Sequence, residues 1–92
     1  MTSAARLPER LTLDEAAATL AALRTAVAGQ GAAGDVTVNA GALRHFDSSA
    51  VAVLLELRRD LQPQGRALRV QDWPPRLQDL VRVYGVQELL RD

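Results

Sequence analysis

The sequence predicts an α/β domain in which a short, mostly parallel sheet carries helices in the order βαβαβα. Three observations lead there. Short segments rich in β-branched residues alternate with longer stretches of helical periodicity. Gly and Pro fall at the joints between them. The apolar residues make up 48% of the chain and only 3% is aromatic, so Leu, Val and Ala must build the core, in thin layers of helix on sheet. Alternation of this kind implies parallel pairing with right-handed crossovers. Ninety-two residues leave room for one domain, covering 1–92, with a modest core.

Met1 to Ala5 reads as a frayed lead-in. Arg6 to Leu11 can be extended, but Pro8 has no N–H to give a ladder, which places it at a strand end or edge. Thr12 opens the first helix and Glu15 follows at the capping-box spacing. Ala16, Leu20, Leu23 and Val27 share one helical stripe, and Gly29 marks its stop. Gly31 to Gly34 reads as a flexible connector. Asp35 to Asn39 is a short strand, and Asn39 to Phe46 is expected to be a loop. Asp47 or Ser48 caps a second helix running to about Gln62, which Pro63-Gln64-Gly65 breaks. Ala67 to Gln71 is a further strand with Leu68 and Val70 on one face. The turn Asp72-Trp73-Pro74-Pro75 leads into a third helix, where Leu77, Leu80, Val81 and Tyr84 repeat at helical spacing. Gly85 ends it, and Val86 to Leu90 is an apolar tail, helical or extended.

Composition excludes several classes of function. The eleven basic residues are all Arg and match eleven acidic ones, giving no net charge. They are scattered singly or in pairs, so there is no one-sided basic field for nucleic acid and no basic helix for an acidic lipid surface. A neutral surface instead favours association with other proteins. Without cysteine there are no disulfides, no thiolate chemistry and none of the common zinc sites, which fits the cytoplasm. The longest apolar run, Ala50 to Leu55, is far too short to insert into a membrane, and the N-terminus has no export-type signal.

Chemistry finds little purchase. His45 is the lone histidine, with no partner for a metal site, and a packing role outweighs one as base or phosphoryl carrier. Asp14, Glu15, Asp60 and Asp79 form no recognisable acid–base pair. The glycines at 29, 31 and 34 follow a helix, where no phosphate loop would lie. Neither an enzyme nor a cofactor is expected. The informative stretch is Phe46-Asp47-Ser48-Ser49-Ala50-Val51-Ala52-Val53-Leu54-Leu55. It places two hydroxyls at the positively polarised start of a helix. The plain reading is a helix cap. A phosphate on Ser48 would add up to about two negative charges there and change a contact surface without unfolding the domain. The helix is also more apolar than one buried face requires. Either its small residues pass unnoticed in solvent or a partner covers them.

These residues resemble the STAS domains, the family of anti-sigma factor antagonists, sulfate-transporter tails and a lipid-transport subunit. The likeness rests on Asp47-Ser48-Ser49-Ala50-Val51 between a strand and an apolar helix, and on the later Tyr84-Gly85-Val86 with its apolar tail. It covers about Thr12 to Leu90. Within the family the chain is most similar to the STAS subunits of bacterial Mla phospholipid ABC transporters. The resemblance implies a STAS-like fold and a non-catalytic subunit that binds the transporter's cytoplasmic ATPase, peripheral to the inner membrane. It implies a partner surface at Asp47, Ser48, Ser49, Val51 and Ala52. It also makes Ser48 the candidate phosphorylation site, because sigma-pathway antagonists are phosphorylated at that position. The alternative is therefore an anti-sigma factor antagonist switched at Ser48. Two departures stand out. Ala50 replaces the family's usual Gly. The N-terminal strand pair is abbreviated, which leaves Arg6 to Leu11 little sheet company and an open edge for homodimers or strand exchange.

Overall fold

The computed structural model describes residues 5–31 and 34–90. Residues 1–4 of the expected lead-in, and Ala32 and Ala33 of the connector, lie outside the described residues. Ala5, expected to be frayed, is instead a buried residue of the first strand, held by its pairing with Val38. The chain runs β1 (Ala5–Arg6), β2 (Arg10–Leu11), α1 (Leu13–Ala28), β3 (Val36–Asn39), β4 (His45–Phe46), α2 (Ser48–Leu61), β5 (Leu68–Gln71), α3 (Pro75–Val83) and α4 (Gln87–Leu90), with a 3₁₀ turn at Gln62–Gln64. This is an α/β fold in the expected order, with the first and second strand positions each split in two.

Among the described residues every strand pairing is parallel. β3 lies between β1 and β5, with Val36 opposite Leu68, Val38 opposite both Val70 and Ala5, and Asn39 opposite Arg6. β2 pairs with β4, Arg10 opposite His45 and Leu11 opposite Phe46. Arg6 to Leu11 is thus not short of sheet company, as its abbreviated length suggested. Pro8 breaks it into two pieces, and each piece pairs with a different strand. β4 itself lies within a segment expected to be loop. Two residues carry no periodicity, and only their distant partners make them a strand.

Among the described residues, β1 pairs with Val38 and Asn39 of β3. The Gln30 side chain meets the residue before them, Thr37. Its Oε1 accepts the Thr37 N–H at 3.3 Å and its Nε2 donates to the Thr37 carbonyl at 3.2 Å. One side chain thus satisfies both outward backbone groups of Thr37.

Strand alternation and helical stripes converge on one apolar cluster. Val36, Val38, Val70, Leu11, Leu54, Leu77 and Leu90 are each fully enclosed. Leu90 shows that the apolar tail is helical and docks into the core. α1 buries Leu23 and Val27 and rests Ala16 and Leu20 on the cluster, as its stripe predicts. The carboxylate of Glu15 accepts the Thr12 N–H at 2.9 Å and the Thr12 hydroxyl at 2.7 Å, fixing the start of that helix. Gly85, at φ 69°, adopts the left-handed turn that ends α3 and feeds α4.

α2 is the central helix. It packs on α1, α3, α4 and β5, and so buries Ala50, Val51, Val53, Leu54, Leu57 and Leu61. Neighbours within the fold absorb most of its apolar surplus, leaving Ala52 exposed and Leu55 half-buried.

Candidate functional site

The junction between β4 and α2 is set by Asp47. Its backbone is extended (φ −126°, ψ −164°), so it stands just outside the helix, and its Oδ1 accepts the Ser49 N–H at 2.8 Å. The other oxygen, Oδ2, accepts the Leu13 N–H at 3.3 Å. Leu13 is the first residue of α1, so one carboxylate serves the N-termini of two helices. The Ser49 backbone N–H, then the Ser49 hydroxyl and the Leu13 N–H, hold the Asp47 carboxyl below its ordinary value against a smaller opposing effect of burial.

Ser48 follows as the first residue of α2 and is exposed, while Ser49 is half-buried. Four residues on, Ala52 shares the solvent face of the helix with Ser48. Val51 does not. It is 3% exposed and belongs to the core, which removes it from the expected contact set. The expectation missed because α2 has neighbours on several sides, and a helical run alone does not show which flank is free.

A groove of about 480 Å³ runs beside Ser48, between the β4–α2 junction and α3. Phe46, Asp47 and Ser48 form one wall, and Arg76, Val83 and Tyr84 are on the other. The Arg76 guanidinium stands 5.4 Å from the Phe46 ring centroid, a cation–π contact of about 0.5–1 kcal/mol at exposed sites. Among the described residues, the large apolar side chains in solvent are Leu13 (76% exposed), Val83 (79%), Tyr84 (54%) and Leu89 (41%). Leu13 adjoins Asp47 through its N–H, and Val83 and Tyr84 line the groove. Two of the four therefore share the groove with Ser48, and Leu13 meets Asp47 through its backbone.

Sequence reasoning missed these three. Tyr84 was expected on the buried stripe of α3, but it caps the helix at the point where the chain turns, and its ring is left outside. Leu13 continues the buried stripe of α1 beyond the edge of the core. The signal for Val83 was its place off the Leu77–Val81 stripe, an apolar residue where a polar one would suffice. His45 is exposed and paired through β4 with Arg10. Among the described residues no cluster of His, Cys, Asp and Glu could hold a metal ion. No helix among them is long and apolar enough to cross a membrane.

A small parallel α/β sheet that presents an Asp-Ser helix start on an exposed face is the architecture of a STAS domain. The sequence matches the Mlab, STAS domain family over residues 2–91, and the chain belongs to that family. The match extends past the Thr12–Leu90 likeness and takes in the split N-terminal strands. Among curated proteins none matches the chain.

Proposed function

We propose that the chain is a non-catalytic regulatory or assembly subunit that binds the cytoplasmic ATPase of a phospholipid ABC transporter, and so works at the inner membrane through that complex. Family membership supports a regulatory or transporter-associated role. The observation that carries the docking surface is the exposed Val83 and Tyr84 across the groove from Ser48, with exposed Leu13 tied by its N–H to Asp47. Apolar side chains gathered on one face of a neutral, soluble-sized domain cost little only when another protein covers them. Ser49 and Ala52 lie at the margin of the same face.

Co-purification with the ATPase tests the reading. Ser48→Arg and Val83→Asp should fold normally and lose the complex. Variants that fold and still bind at full strength would show that the contact lies elsewhere.

The second reading, an anti-sigma factor antagonist, draws on the exposure of the Ser48 hydroxyl beside the helix start. It requires a kinase that phosphorylates Ser48 and weaker partner binding by Ser48→Asp. Intact-mass measurement after incubation with the cognate kinase decides it.

A further inference from the structure

At the other end of α2, where α1 also finishes, lies a cleft of about 820 Å³. Arg24, Arg59 and Arg66 line it, together with Leu57, Gln64 and a single carboxylate, Asp60. Arg66 is only 8% exposed and is the one buried charged residue among those described. Its Nε–H donates to the Gly34 carbonyl at 2.9 Å and its Nη1 to Gln64 Oε1 at 3.3 Å. Its Nη2 is enclosed and has no hydrogen-bond partner among the described residues. Neither bond it makes is to a carboxylate, so its charge has no direct counter-charge. Burying a guanidinium in that way is unfavourable, and an anion brought to it would recover much of the cost.

Three arginines and Asp60 line the cleft, and Glu56 engages Arg59 from beside it. The C-termini of α1 and α2 contribute about half a negative charge each, so the cleft as a whole is close to neutral and Arg66 alone lacks a paired carboxylate. Asp60 already engages Arg24 at 2.6 and 3.2 Å, and Glu56 engages Arg59 at 2.9 Å. Arg66 is therefore the donor with unspent capacity. Guanidinium groups favour tetrahedral and planar oxyanions through paired N–H donors.

We propose that this cleft binds a phosphate-class oxyanion, with Arg66 as the buried donor and Arg24 and Arg59 at its mouth. The cleft is larger than a free ion, which suits a phosphomonoester carried on a bigger molecule, either soluble or a phospholipid headgroup. This inference stands apart from the Ser48 surface and survives its failure.

The test is titration of the labelled full chain with inorganic phosphate and glycerol phosphate, followed by NMR. Sodium chloride at equal ionic strength is the control. A second arm measures sedimentation with phosphatidylcholine vesicles, with and without phosphatidic acid. Saturable shifts at Gly31, Gly34 and the Arg66 Nε–H are expected. Arg66→Gln should weaken them about tenfold or more, and Asp60→Asn should strengthen them by freeing Arg24. If Arg66→Gln fails to fold, the exposed Arg59→Glu variant should give a similar loss. Binding by soluble phosphates assigns a soluble source, and binding to the acidic vesicles alone assigns a headgroup. No saturable response in either arm, or equal responses from wild type, Arg66→Gln and Arg59→Glu, would overturn the proposal.

Discussion

The two ends of α2 solve the same electrostatic problem in opposite ways. At the start, backbone N–H groups of two helices converge, and the Asp47 carboxylate accepts from both. At the finish, where α1 and α2 end, Arg24, Arg59 and Arg66 line a cleft. The N-terminal end is electrostatically settled and keeps its apolar neighbours in solvent. The C-terminal end encloses a cation that its surroundings only partly satisfy. A surface of the first kind suits a protein partner, whereas the second suits a small anion.

Leu57 joins the two ends, and its loss gives the largest effect expected. It is 1% exposed in the middle of α2, and Leu57→Ala should cost about 2–5 kcal/mol in denaturant unfolding. Both ends should loosen together. A variant in which hydrogen exchange quickens at only one of them would show that α2 does not behave as one unit.

Next comes a change that separates the ends. Asp47→Ala orphans two backbone N–H groups and should lower Tm by about 5 °C or more, while Ser48→Ala should leave it unchanged. Calorimetry of the pair shows whether the start of α2 is held by Asp47 alone. The pH dependence follows with a definite sign. Asp47, Glu15 and Asp35 all have native carboxyl pKa values lowered from their ordinary 3.8 or 4.5, so the stability they supply is complete above that range. It is lost as pH falls below it, through their lower native values. For Asp47 the largest cause is the Ser49 N–H, for Glu15 the Thr12 hydroxyl and for Asp35 the Arg69 guanidinium. In Asp47→Ala the acid limb of a Tm-against-pH curve should be shallower.

The smallest effect belongs to the Arg24–Asp60 pair, which lies half in solvent despite its 2.6 Å contact. Asp60→Asn should move Tm by no more than about 2 °C. A larger drop would mean that the cleft depends on this pair for its shape.

Much of the fold could be read from local chemistry. The Thr12–Glu15 cap, the α1 stripe and the alternation at Leu68 and Val70 are each written within a few neighbouring residues. The family likeness rested on Asp47-Ser48 for the same reason. What escaped depends on distant pairing or on where an element ends. β4 is a strand only because β2 lies beside it, and Gln30 bonds the backbone of a sheet residue seven positions away. Val51 turned inward because α2 is enclosed by four elements, while Leu13 and Tyr84 turned outward because their helices outrun the core. Arg66 gave no signal at all. A single arginine before a strand usually reaches solvent.

The shared carboxylate at Asp47 also orders events in time. Its bond to Ser49 spans two residues and can close as soon as α2 begins to form. Its bond to Leu13 spans 34 residues and must wait until β2, α1, β3 and β4 have been brought together. The same side chain thus takes part early at one helix and late at the other. Replacing it should divide its kinetic cost, slowing refolding through the first bond and hastening unfolding through the second. α1 therefore gains its last N-terminal anchor only after the chain has closed around it.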